Sequence, residues 1–205
     1  LNILLDNKKR EIYKPAIQQL FYLCPETMSR KIKMANVQQA FVFNMVVGLY
    51  KEGDKILSAG CYEDTAFEAL NKYSIKVIGI DPLINMSLDT FFKLTKDKFD
   101  IIFSTSVIEH VKDDELFIEQ ICKLLKPEGY AILTCDFRDD WKEGDPKPSE
   151  DFRLYTKHDL TVRLNNVAKQ NGCEMVGEIN YEGEPDFCYG VYWYSFATLT
   201  LKKIT

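Results

Sequence analysis

Four short apolar runs, KILSA (55–59), KVIGID (76–81), FDIIFSTS (99–106) and YAILTCDF (130–137), constrain this chain most. They are continuous rather than alternating, as strands buried on both faces of a parallel sheet should be. Helical patterns lie between them. DTAFEALNKY offers a capping box, with Thr65 three residues before Glu68. DDELFIEQICKLLKPEG carries a broad apolar face, opened by Asp113 and Asp114 and stopped by Pro127 and Gly129. After a polar loop at 139–151, Thr156 and Asp159 form a second capping box for a helix to Gly172, and CEMVGEINYEG and YSFATLTLKK follow as two strands. Strands alternating with helices, then a closing strand pair, predict an α/β sandwich with an antiparallel edge. Residues 1–50 are expected to be a mostly helical extension packing on or capping the core, with MANVQQAFVFNMVVGLY (34–50) its strongest helix. Residues 51–205 then form the α/β domain, and the whole is one structural domain, for which 205 residues suffice.

Charge and cysteine usage exclude several function classes. The formal net charge is -5 and the lysines are scattered among acids, so no phosphate-tracking surface is expected and nucleic acid is a poor partner. Six cysteines form no C-x-x-C pair, and with two histidines there is no recognisable metal set. This usage predicts a reduced, cytoplasmic protein. No apolar stretch reaches membrane-spanning length and no signal peptide is visible, so no membrane partner is expected. The chain opens on Leu1 rather than Met, which leaves the natural N-terminus open. A monomer or a homodimer is compatible with the sequence.

Ligands of an open parallel sheet bind at the carboxyl ends of its strands. The first run ends in Ala59, Gly60, Cys61 and Tyr62, and Gly60 suits close approach of backbone to a nucleotide. The second ends in Asp81 and Pro82, and an acid about 20 residues beyond a glycine turn is where a ribose diol is held. The alternative for Asp81 is a turn cap before Pro82. Ser104, Thr105 and Ser106 end the third run and either line a cleft or bond neighbouring backbone. Glu109 and His110 follow, and His110 is a candidate proton acceptor, or else orients a helix start. Asp136 closes the fourth run as a candidate base or hydroxyl anchor, followed by Arg138. Arg153 and Tyr155 are candidates for an anionic or sugar-like group, unless Arg153 pairs with Asp151 or Asp136 and fixes the loop.

In order and spacing, KILSAGC, VIGIDP, KFDIIFSTSVIEHV, LLKPEGYAILTCDF and DFRLYTKHDL resemble a class I S-adenosylmethionine-dependent methyltransferase over roughly residues 54 to 200. The resemblance implies a doubly wound, mostly parallel, seven-stranded Rossmann-like sheet with an antiparallel edge strand and helices on both faces. It implies S-adenosylmethionine as cofactor, S-adenosylhomocysteine as product and in-line methyl transfer to a small polar molecule, a sugar-like one among the candidates. Gly60, Cys61, Tyr62, Asp81 and Pro82 take the cofactor loop and ribose positions, and Ser104, Thr105 and Ser106 the fourth-strand positions. Asp89 and Thr90, on a strand expected around SLDTFF, take the third-strand position that holds the adenine amino group. Two departures stand out. Ser58 replaces the usual acid two residues before the first glycine, and Tyr62 and Asp64 replace the second and third glycines. A catalytically silent cofactor-binding subunit and a nucleotide-sugar or nicotinamide enzyme are the alternatives.

Overall fold

The computed structural model describes residues 1–204. The chain starts with strand β1 (Asn2–Ile3), helices α1 (Asn7–Ile12), α2 (Lys14–Leu23) and α3 (Pro25–Arg30), a single 3-10 turn, and α4 (Asn36–Leu49). The α/β part runs β2 (Ile56–Ala59), α5 (Thr65–Lys72), β3 (Val77–Ile80), α6 (Leu88–Leu94), β4 (Phe99–Thr105), α7 (Asp114–Leu124) and β5 (Leu125–Phe137). A π turn at Asp159–Arg163 leads into α8 (Leu164–Gln170), followed by β6 (Cys173–Met175), β7 (Ile179–Asn180), β8 (Phe187–Tyr189) and β9 (Tyr192–Lys203).

The main sheet has seven strands in the order β3-β2-β4-β5-β9-β6, with β8 paired to β9. The four strands read from the apolar runs are mutually parallel, and β9 turns the sheet antiparallel against β5. Successive strand residues alternate between two cores. Leu57, Ile102, Ala131 and Leu133 face one, with α7 and α8. Ile56, Ile101, Phe103 and Ile132 face the other, with α4 and α5. Each buried Ile or Leu contributes roughly 1.5–3 kcal/mol, so burial on both faces explains why these runs carry no polar alternation.

Two local expectations are corrected. The stretch around SLDTFF is helix α6, not a strand, because the Ser87 side chain caps its first turn at Thr90 N and Leu88 is buried on a helical period. The cap of α5 is Asp64, which accepts from Phe67 N at 2.8 Å, so Thr65 is the first helical residue rather than the cap. The second box forms as read: Thr156 Oγ1 accepts from Asp159 N, and Asp159 Oδ2 accepts from Thr156 N. Helix α4 is buried continuously from Asn36 to Phe43 and packs between α2, α5 and the sheet. Its polar first turn, Asn36, Gln38 and Gln39, is thereby carried over the carboxyl ends of β2 and β4, and Gln39 Oε1 accepts from Ala66 N at 2.8 Å. Among the described residues no helix is long and apolar enough to cross a membrane.

Candidate active site

The chain adds β3 on one side of β2 and then β4 on the other, so the loops after β2 and β4 leave in opposite directions and open a crevice. Three cavities lie along it. The first, about 320 Å³, is a slot with apolar walls of Ile80, Leu88, Val107 and Phe117, and Asp89 and Gln120 are among the polar residues that edge it. The second, about 640 Å³, runs under the start of α4 and is lined by Asn36, Gln38, Tyr62, Asp64, Thr105 and Lys31 among others. Gly60, Asp81, Pro82, Val107 and Val111 line both, so the two are continuous. The third, about 250 Å³, shares Gln38, Ser106 and His110 with the second and ends on Asp136 and Asp151 beneath aromatic rings.

At the first junction Gly60 has φ +100, and a Cβ there would stand 2.4 Å from Val107 Cγ2. The loop therefore keeps its one indispensable glycine. Asp81 holds both sides of the turn: Oδ2 accepts from Tyr62 N at 3.2 Å and Oδ1 from Leu83 N at 2.8 Å. Turn capping and cavity lining are thus combined in this residue, and each oxygen retains accepting capacity. Tyr62 is half-exposed and lines the second cavity rather than filling it. Asp89 lines the first cavity from α6, with Oδ1 accepting from Gln120 Nε2 at 3.0 Å.

Several expected site residues fall elsewhere. Cys61 is buried, with its Sγ directed at Gly79. Thr90 is spent on the Ser87 cap. Ser104 is buried and donates to Ala59 O at 2.7 Å, bracing β4 against β2, so only Thr105 and Ser106 of the three hydroxyls reach the cavity. Arg138 pairs with Asp140 at the surface. Arg153 pairs with Asp114 at 2.6 Å and Tyr155 is fully buried with its hydroxyl on Asp114 Oδ2 and Ile108 O, so both clamp the loop and neither is free for a ligand. The pairing partner of Arg153 is thus neither acid expected for it.

His110 differs from expectation in its protonation. Its Nδ1 donates to Asp151 Oδ1 at 3.0 Å, and this bond, against the cost of burial, lifts its pKa to about 9. It therefore holds its proton at neutral pH and cannot serve as a base there. Asp136 is the reverse case. It is buried, and burial, then Glu109 and Asp151, raise its pKa well above the usual aspartate range. Glu109 is raised too, chiefly by burial, with His110 opposing.

Sequence reasoning missed Asn36, Gln38, Asp64, Gln120, Asp151 and Tyr194. The available signal was polar: MANVQQ puts three amides into an otherwise apolar helix, and amides buried without need are rare. Buried side-chain atoms without a partner gather here: both polar atoms of Asn36, Gln38 Oε1, Asp64 Oδ2, Thr105 Oγ1, Glu109 Oε2, Asp136 Oδ1 and Asp151 Oδ2. Each such group costs roughly 1–3 kcal/mol unless something fills the space, so the crevice is built for a polar occupant.

Residues 25–176 match the family described as Methyltransferase domain. The ubiquinone biosynthesis O-methyltransferase of Bartonella tribocorum is 26% identical over 167 residues, covering 64% of this chain and 64% of that one. Phosphoethanolamine N-methyltransferase 1 of Zea mays is 31% identical over 127 residues, covering 52% of this chain and 24% of the relative. The chain thus spans less than two thirds of these relatives. In structure it is similar to a SAM dependent methyltransferase from Archaeoglobus fulgidus (TM-score 0.53, 13% identity, 80% of this chain, 94% of that one). It is equally similar to the [4+2]-cyclase SpnF (TM-score 0.55, 12% identity, 96% and 94%), and at such identities the likeness is one of fold alone.

Proposed function

Because the chain belongs to the Methyltransferase domain family, we propose that it transfers the methyl group of S-adenosylmethionine to a small polar molecule. The observation that carries this is the continuity of the three cavities along one crevice, with Gly60 and Asp81 at the first junction and Ser106 and His110 at the second.

The residues fit the cofactor. The apolar slot between Leu88 and Phe117 suits a purine, with Asp89 and Gln120 available to its polar edge. Asp81, where the slot meets the second cavity, takes the ribose diol. Asp64 Oδ2, buried and unpartnered in the second cavity, accepts from the ammonium group of the amino-acid end, and Lys31 on the same wall meets its carboxylate. Burial lifts the Asp64 pKa to about 6, and a bound ammonium favours its charged form. Asp64 thereby supplies the acid that Ser58 does not.

When bound, S-adenosylmethionine supplies an electrophilic methyl group on a sulfonium centre. The chain contributes alignment and exclusion of water, which suffice for much of an in-line transfer. The polar turn of α4 roofs the crevice, and the loop at 139–151 closes its far end through Glu150 O, which accepts from His110 Nδ1 at 3.2 Å. Burial favours the neutral form of Asp136, so it can take a proton from the acceptor only once a bound positive charge has ionised it, whereas His110 is held protonated by Asp151.

Asp81→Ala is expected to weaken S-adenosylhomocysteine binding about 10-fold, the loss of one or two hydrogen bonds to a charged group. Calorimetry on both proteins measures it. Unchanged affinity would show that Asp81 only caps its turn.

A further inference from the structure

The third cavity combines acid and aromatic side chains for a reason visible in strand register. Asp136 on β5 faces Phe196 on β9, and Tyr194, two residues along β9, faces Phe187 on β8. Period-2 alternation puts Asp136, Phe196, Tyr194 and Phe187 on one face of the sheet. The three rings touch, with centroids 5.1 Å apart for Phe187–Tyr194, 4.9 Å for Phe187–Phe196 and 5.8 Å for Tyr194–Phe196. The folded loop adds Glu150 and Asp151 from the opposite side.

The atoms left without partners share one character. Asp136 is 6% exposed and Asp151 4% exposed, and each lines the cavity with one buried oxygen that accepts nothing. Glu109 lies behind the cavity wall: its Oε1 accepts from Ser106 Oγ at 2.7 Å, and its buried Oε2 has no partner. When ionised, all of these are acceptors only. No lysine or arginine lines the cavity among the described residues, and the one cation there, His110, is matched by Asp151. An ammonium group brings only donors and a charge, which matches these acceptors; an alcohol or sugar brings no charge and would draw on the Ser106, Tyr189 and Tyr194 hydroxyls and the Gln38 amide. Aromatic faces also attract a cation, more strongly when it is shielded from water.

We propose that this cavity is the acceptor site and that it selects a small amine, entering as an ammonium ion against Asp136 and the Phe187–Tyr194–Phe196 cluster. The assignment of the cavity to a methyl acceptor rests on the methyltransferase reading above; the preference for a cation does not. On entry the ammonium charge favours ionised Asp136, whose own proton leaves to solvent. One N–H proton of the ammonium then passes to Asp136, leaving a neutral amine whose lone pair is free to form the new N–C bond, and the carbon's former bonding pair departs with its leaving group. The sugar-like acceptor considered from sequence is the less supported alternative.

The probes are benzylamine, benzyl alcohol and benzoate, which share one ring and differ in the head group. Titrated by calorimetry at neutral pH, with and without S-adenosylhomocysteine, benzylamine is expected to bind at least about 10-fold more tightly than the alcohol, with benzoate weakest. In Asp136→Asn the preference for amine over alcohol should shrink to within about 3-fold. Equal or tighter binding of the alcohol or benzoate to the natural protein overturns the proposal and needs no variant. A preference that survives Asp136→Asn in full overturns it as well. Failure of S-adenosylhomocysteine to bind removes the methyltransferase reading instead, since the head-group preference is read independently in its absence.

Discussion

Replacing Asp114 by alanine should lower folding stability by about 3–4 kcal/mol. Asp114 is buried at the start of α7, and its carboxylate gathers Arg153 at 2.6 Å, Arg163 at 2.8 and 2.9 Å and the Tyr155 hydroxyl at 2.9 Å. Its removal takes the shared carboxylate from all three, leaving Arg163 with Asp159 and Glu115, Arg153 with the Lys112 carbonyl and the Tyr155 hydroxyl with Ile108 O. Both arginines keep roughly a quarter of their side-chain surface, 22% and 27%, so the cost falls at the lower end for a broken buried pair. Despite burial, the hydrogen bonds and charge of Arg163, then Arg153, hold the carboxyl below the ordinary aspartate value of 3.8. A depressed folded pKa means the contribution is present above that value and is lost as pH falls below it. Urea unfolding near neutrality and again near pH 3 measures both effects: a large difference between natural protein and variant at neutral pH, and a smaller one in acid. A neutral-pH difference under about 1 kcal/mol would class the cluster with exposed ion pairs.

Gly60→Ala is expected to reduce S-adenosylhomocysteine affinity by roughly 30- to 100-fold, equivalent to about 2–3 kcal/mol. Two costs coincide at this position. The φ of +100 disfavours any L side chain by about 1–2 kcal/mol. The added Cβ would also lie 2.4 Å from Val107 Cγ2, and Val107 lines both the apolar slot and the cavity beside it, so relief of the clash moves a wall of the site. Gly53→Ala separates the two, because Gly53 has φ +93 with open space around it. That variant should lose stability and keep cofactor affinity. If both variants bind as the natural protein does, the glycine turn is not where the cofactor lies.

The parallel half of the sheet was legible because each strand is buried on both faces and so carries an unbroken apolar run; the run at 55–59 became β2 and that at 99–106 became β4. SLDTFF was misread because a short run with two aromatics fits either period, and Ser87 as a cap decided it for helix. The position of Gly60 and Asp81 along the crevice could be read because turn chemistry is local. Arg153 and Tyr155 were misplaced because their partner, Asp114, lies about 40 residues away and nothing local marks it. The same distance hid Asp151, which decides the charge of His110. Gln38 and Asn36 were legible only as a cost, polar groups in a buried helix, and burial is a property of the fold. Asp64, counted as a lost glycine, is both the cap of α5 and a wall of the second cavity.

Titration of S-adenosylhomocysteine into the natural protein by calorimetry tests the central claim most directly. The expected result is one site per chain with a dissociation constant in the micromolar range, a binding free energy of about −7 to −8 kcal/mol. NAD should give no heat under the same conditions. Absence of S-adenosylhomocysteine binding at millimolar concentration, or binding of NAD in its place, would contradict it.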